Sequence, residues 1–245
     1  MDVEEKDKAM NLISNITHQA INPLNGVIGT LDNVVKGIVP DEKKQQRLTS
    51  ARSQLEYTVS LLRNLAYFAQ YSGADVLAYR KEAENRKCII PQVIIEAMMF
   101  FQEQGSSHDV SIELANPADQ NAVKGNPDLL RQVFMNIFDN AVKYSKPGSK
   151  VLVKDWIQKR SGDLIISISG QSIGFDPEED IFSLGVRGRK AREVTSSGSG
   201  LGLHICRLII EKLFNGEITG YTRSDGDVVF EIRLPGAFVV SGGMK

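Results

Sequence analysis

His18 lies in the run THQAINPLNG, residues 136–145 spell NIFDNAVKYS, and Gly198, Gly200 and Gly202 fall within SSGSGLGLHICR. Each set can do chemistry. An exposed imidazole keeps one ring nitrogen unprotonated near neutral pH, so His18 is either a nucleophile or a solvated surface histidine. Asn136 and Asn140 stand four residues apart and share a helix face with Lys143. Amide oxygens with one lysine suit a hydrated Mg²⁺ that bridges phosphates, because Mg²⁺ keeps several waters and takes few protein ligands. The alternative is a polar helix face over a core of Val133, Phe134, Ile137 and Phe138. The three glycines lead into an apolar-periodic helix expected from Leu201. Backbone N–H groups at such a start, uncovered by side chains, cradle phosphate; otherwise the run is a flexible hinge. A fourth stretch, SISGQSIGF from Ser167 to Phe175, is a Gly-bracketed turn after a buried strand, a common place for a nucleotide.

These residues need elements to hold them. Along the first segment Met10, Thr17, Leu24 and Leu31 alternate with Ile13, Ala20, Val27 and Val34, and Ile21, Ile28 and Val35 widen the stripe. His18 falls one position past the Thr17 seam, flanking the core and meeting solvent. Pro23 cannot donate to the Gln19 carbonyl and is expected to kink the helix one turn below His18. Gly37 to Pro40 breaks the helix, and Asp41 is a plausible N-cap for the next. There Leu48, Leu55 and Leu62 interleave with Ala51, Thr58 and Leu65, and the helix fades near residues 71–73. Two long helices with wide apolar stripes cannot bury both alone, so the hairpin is expected to form a dimeric four-helix bundle.

From about residue 80 the pattern changes. Strand-like runs at 88–90, 110–114, 151–153, 164–168 and 228–234 alternate with helical patterns at 91–104, 128–144 and 201–214. This density predicts an α/β sandwich, a mixed sheet with helices on one face. The fold class is therefore α plus α/β, with a boundary near residues 72–80: a helical hairpin over 1–75 and the sandwich over 76–245.

The 245 residues allow one large domain or two small ones. The formal net charge of -1 offers no basic field to attract nucleic acid. No apolar run approaches the ~20 residues of a membrane span. Cys88 and Cys206 lack metal-ligand spacing and suggest a reducing, cytoplasmic setting.

The runs HQAINPL, NIFDNAVKYS, IFSLGVRG and GSGLGL resemble the H, N, F and G2 boxes of two-component sensor histidine kinases, in order and at the usual separations. GNPDLLRQVFMNIFDNA and KLFNGEITGYTRSDGDVVFEIRLP are also similar to that family, and the match runs from about Ile13 to Pro235. The resemblance implies a dimerisation and histidine-phosphotransfer hairpin followed by a GHKL-type ATP-binding domain. It implies ATP and Mg²⁺ as cofactors, a homodimer, and a response-regulator receiver domain as partner. His18 would be the phosphoacceptor and Asn140 the Mg²⁺ ligand, supported by Asn136. Lys143 and Tyr144 would face the nucleotide. Phe182 to Gly188 would lead into the lid over the nucleotide. Gly198, Gly200 and Gly202, with Leu201 beside them, would cradle the phosphates at the lid's end. Arg187, Arg189, Lys190 and Arg192 either grip phosphate or form a solvated cluster.

Two boxes depart from the pattern. The family's G1 box reads Asp-x-Gly-x-Gly, and its aspartate accepts the adenine amino group. Here Gly170 stands at the aspartate, Ser172 at the first glycine, and Gly174 alone is kept. Losing a charged acceptor costs roughly 1.5–3 kcal/mol, on the order of 10- to 150-fold in affinity, and relaxes adenine selectivity. In the H box, Gln19 replaces an acidic residue that would take the imidazole proton, help typically worth ~10²–10⁴-fold. Asn22 matches the polar position that in related kinases orients water for dephosphorylating a partner.

An ATP-dependent kinase core is thus one expectation. A degenerate pseudokinase, acting as a dimeric phosphotransfer or scaffold protein with little ATP binding, is the other. The histidine-bearing hairpin argues against a chaperone- or topoisomerase-type GHKL ATPase. Restoring an aspartate by Gly170→Asp is expected to recover nucleotide binding if only that anchor is missing. No sensing segment precedes residue 10, which points to a partner or a longer protein as the source of the signal.

Overall fold

The computed structural model describes residues 3–71, 85–195 and 198–240. Helix α1 (Val3–Val35) runs unbroken through Pro23 and turns at 36–40 into α2 (Asp41–Tyr71). Asp41 is the first helical residue rather than the cap. With Glu42 it puts negative charge on the first turn, where the helix dipole favours it. The expected boundary at 72–80 lies outside the described residues.

The stripe divides in two. Ala20 and Val27 of α1 are buried with Ala51, Thr58, Leu61 and Phe68 of α2. Ile21, Ile28 and Val35, spaced by seven, stay exposed, as do Leu48, Leu55 and Leu62, also spaced by seven. A single hairpin has only one inner face, so the widening residues are left outside.

The second part opens with β1 (Lys87–Ile89) and α3 (Ile90–His108). Next come β2 (Ser111–Leu114), β3 (Asn121–Lys124) and α4 (Pro127–Tyr144). Asn126 caps α4 by accepting from the Asp128 N–H at 3.0 Å, and Pro127 starts it without wasting a donor. Strands β4 (Lys150–Ile157) and β5 (Leu164–Gln171) follow, then the short α5 (Arg189–Val194). Helix α6 (Gly202–Arg207) continues as a π-helical turn over Leu208–Leu213, where a single α-helix is expected from sequence. Strands β6 (Glu217–Thr222), β7 (Asp227–Leu234) and β8 (Phe238–Val239) complete it.

Five strands form a mixed sheet in the order β2-β4-β5-β7-β6, parallel only between β2 and β4. A three-stranded antiparallel sheet, β1-β3-β8, lies apart from it. The helices and the sheet share one core, whose largest fully buried side chains include Phe134, Phe138, Ile94, Leu130, Ile166 and Leu201. Sequence periodicity misses β3, β6 and β8, because EITGYT, NAVK and FV are too short or too polar to alternate clearly. It also ends β5 at Ile168, whereas the strand continues to Gln171, since Ser169 and Gly170 pair with β4 on one side and β7 on the other. No helix among the described residues is long and apolar enough to cross a membrane.

Candidate functional site

One cavity of about 160 Å³ gathers most of the residues that the sequence singles out. Helix α4 supplies Asn136, Asn140, Lys143 and Tyr144; the turn after β5 supplies Ser172 and Gly174; the end of the following loop supplies Gly198, Gly200 and Gly202. Leu201 does not join them: its side chain is fully buried in the core. Helix α2 forms a further wall through Tyr57, Leu61 and Asn64. No residue of α1 lines the cavity among the described residues. His18 and Asn22 are exposed on α1, and Gln19 is half-buried.

The two asparagines of α4 differ in what they touch. Asn136 is buried, and its Nδ2 donates to Asn64 Oδ1 at 3.2 Å and to the Gly202 carbonyl at 3.1 Å. Its Oδ1 accepts from Asn64 Nδ2 and from Gln132 Nε2, each at 3.1 Å. Gln132 Nε2 also donates to Asn64 Oδ1 at 3.1 Å. Three buried amides thus satisfy one another and tie α2, α4 and α6 together. Asn140, one turn further on, is half-buried at the cavity. Lys143 pairs with Asp139 and lies 5.1 Å from the centroid of the Tyr57 ring.

The glycine-rich segment is held by its backbone. Gly200 has φ +67, and a Cβ there would meet the Gly185 carbon at 2.6 Å and the Gly185 and Val186 carbonyl oxygens at 2.8 Å. Only glycine lets 198–202 fold so closely against 185–186. Arg187 Nη2 donates to the Thr195 carbonyl at 2.5 Å, which holds the segment between them. Arg189 pairs with Asp176 instead, so the basic run splits between cavity and surface. Behind it, Arg207 makes a two-pronged bond to Asp180, at 2.6 and 3.0 Å, and lies over the Phe182 ring. These bonds hold the Asp180 carboxyl at about 2.

The SISGQSIGF turn is anchored to the end of α4. Ser172 Oγ donates to the Tyr144 carbonyl at 2.9 Å, and the Ile173 N–H donates to the same oxygen at 3.1 Å. The sheet beneath it is the cavity floor. Gly170 sits between its cross-strand partners Val151 and Val228, with Ile168 and Phe230 on the next inward rung. That floor is apolar.

Residues 125–237 match the family model of histidine kinase-, DNA gyrase B- and HSP90-like ATPases. The sensor protein KdpD of Clostridium acetobutylicum is 24% identical over 237 residues, covering 96% of this chain and 25% of that protein. The adaptive-response sensory kinase SasA of Synechococcus elongatus is 27% identical over 224 residues, covering 87% of this chain and 56% of that protein. Over nearly its whole length the chain is similar to sensor histidine kinases, and residues 125–237 carry the ATPase match.

Among solved structures, the chain shares its fold with the histidine kinase ThkA in its complex with the response regulator protein TrrA. The TM-score is 0.60 at 20% identity, over 95% of this chain and 63% of that one. The chain spans 25% to 56% of the length of the first curated relatives it matches.

The residues at the cavity that sequence reasoning misses include Tyr57, Asn64 and Val228, and behind them Gln132 of the amide cluster. Gln132 carried a signal, since it stands four residues before Asn136 as Asn136 stands before Asn140. Tyr57 and Asn64 carried none, because nothing local says which face of α2 meets the second part.

His204 gives the folded chain a pH dependence. Its Nδ1 lies 3.1 Å from the Phe182 carbonyl, which fixes that nitrogen as the donor, and the Phe68 ring of α2 packs 6.0 Å away. Burial holds its pKa below the usual 6.5, against the raising effect of the Phe182 carbonyl bond. The unfolded chain therefore binds this proton first as pH falls, so stability declines from about pH 6.5 downward. Urea midpoints measured between pH 7.5 and 5.5 are expected to fall with acid, and the slope is expected to shrink in His204→Gln.

Proposed function

We propose that the chain is an ATP-dependent protein-histidine kinase core that phosphorylates His18 and passes the phosphoryl group to an aspartate of a response-regulator receiver domain in the cytoplasm. The observation that carries this reading is the single cavity joining Asn140, Lys143 and Tyr144 to the glycine segment 198–202, beside a hairpin with an exposed histidine. The phosphate end fits a nucleotide: the Gly200 approach leaves backbone facing the cavity, and Lys143 and Arg187 supply positive charge. Asn140 would hold Mg²⁺, with Asn136 fixing its helix from the buried amide cluster. Bound ATP would supply the γ-phosphoryl group, and Mg²⁺ would neutralise the developing charge.

The protein's own part is mainly positioning. His18 offers a ring nitrogen to form the P–N bond as the bond to the β–γ bridging oxygen breaks and ADP leaves. Gln19 is neutral, so the ring proton goes to water or to the accepting partner rather than to an adjacent carboxylate. Asn22, one turn on, would orient water when a partner is dephosphorylated. Because no described residue of α1 lines the cavity, transfer requires the cavity to shift along the hairpin, or His18 of a second copy to enter it. The division of labour would follow residues 1–75 and 76–245.

The exposed seven-spaced rows on α1 and α2 support a homodimer through the hairpin. Ile28 is 57% exposed and Leu55 41%, large apolar side chains that a second hairpin would cover. The double variant Ile28→Lys, Leu55→Lys is expected to halve the mass seen by light scattering while leaving the far-UV circular dichroism unchanged.

The kinase reading is tested by incubating the protein with γ-labelled ATP and Mg²⁺. The expected result is an acid-labile, alkali-stable label on the protein that moves to an added receiver domain. A folded dimer that takes no label from ATP, yet accepts phosphate back from a phosphorylated receiver, would sink the kinase reading and leave phosphotransfer alone.

A further inference from the structure

Tyr57 belongs to the hairpin, yet its side chain lines the cavity of the second part. Its ring lies under the Lys143 ammonium, at 5.1 Å from the centroid. Its hydroxyl is buried and makes no hydrogen bond to any described residue. A buried hydroxyl without a partner costs about 1–3 kcal/mol, so such groups are kept where something else bonds to them. Its charged surroundings select the sign of that partner. Lys143 and Arg187 are the cations that act on it, and Asp139 is the one carboxylate, itself paired to Lys143.

We infer that Tyr57 donates a hydrogen bond to a phosphate oxygen of the nucleotide, so that the phosphotransfer hairpin itself completes the triphosphate site. This rests on the nucleotide-binding reading above and adds a residue from outside the ATP-binding part. The fold gives the contact a use. His18 and Tyr57 lie at nearly equal distances along the chain from the 36–40 turn, on antiparallel arms, and so at about the same level of the hairpin. A phosphate held by Tyr57 is held at the height of the phosphoacceptor. Nucleotide binding and seating of α2 on the cavity then favour each other, since each supplies part of the other's contact surface.

Tyr57→Phe removes the hydroxyl and keeps the ring that Lys143 covers. Titration calorimetry with ATP–Mg²⁺ and with inorganic tripolyphosphate is expected to show affinity lower by about 10-fold or more for both probes, the lower end for a hydrogen bond to a charged group. The ligand-free melting temperature is expected to be no lower than that of the wild type. Equal affinities in the two proteins would overturn the inference while leaving the kinase reading standing. Wild type that binds neither probe would overturn both. A measurement on the wild type guards against a misfolded variant. With tyrosine labelled at ¹³Cζ, the Tyr57 signal, assigned by its loss in the variant, is expected to shift on adding tripolyphosphate. A signal that stays put at saturation counts against the contact.

Discussion

His18→Gln is expected to abolish labelling from γ-labelled ATP, to below about a hundredth of the wild-type level, while ATP affinity and melting temperature stay the same. The size follows from chemistry: the amide offers no nitrogen lone pair that can form a stable P–N bond, so no covalent intermediate forms. The silence in stability follows from position. His18 is exposed on α1 and lines no part of the cavity, so its loss uncovers no core and leaves no buried group unpaired. Gln19→Glu provides the opposite change. A carboxylate next to the imidazole can take its proton, and the labelling rate is expected to rise roughly 10-fold or more if proton removal limits transfer. Label that persists in His18→Gln would mean that another residue is the acceptor.

Gly170→Asp is expected to lower the ligand-free melting temperature instead of simply restoring an adenine anchor. From sequence, the change puts back a missing acceptor. In the fold, the position is closed. A Cβ at Gly170 would lie 2.9 Å from the Lys150 carbonyl oxygen and 3.3 Å from both Cα and Cγ2 of Val151. Two of those atoms are backbone of β4, which pairs with β5 over Val151–Ile157, so relief requires the strands to move apart. Overpacking of this kind costs about 1–3 kcal/mol, or roughly 2–12 °C for a chain of this size. The new carboxylate would also sit on a floor of Val151, Ile168, Val228 and Phe230, where an unpaired charge is disfavoured. Calorimetric melting and ATP titration of the same sample check this. An unchanged melting temperature together with a 10-fold gain in ATP affinity would show that β4 yields readily.

Some of this was readable from residue order alone. The boxes HQAINPL, NIFDNAVKYS and GSGLGL place a histidine, an amide–lysine helix face and a glycine segment, and these are local patterns that survive any packing. The hairpin and the mixed sheet follow from hydrophobic periods, because a period states which face of an element must be covered. That position 170 carries no side chain is likewise a fact of residue type.

Position across the fold is another matter. Asn136 and Asn140 look equivalent on a helix wheel, yet one is consumed by Asn64, Gln132 and Gly202 while the other stands at the cavity. That split depends on a helix some 70 residues earlier in the chain. Gly170 reads as a vacancy in the sequence and as a strand contact in the fold, because β4 fills the space where a side chain would begin. Tyr57 has no signature at all. The sequence by itself determined which chemical groups this protein owns and which secondary elements carry them, since both depend on nearest neighbours and period. Only the tertiary structure decided which of those groups share a cavity, because hydrogen bonds and packing act over a few ångströms regardless of distance along the chain.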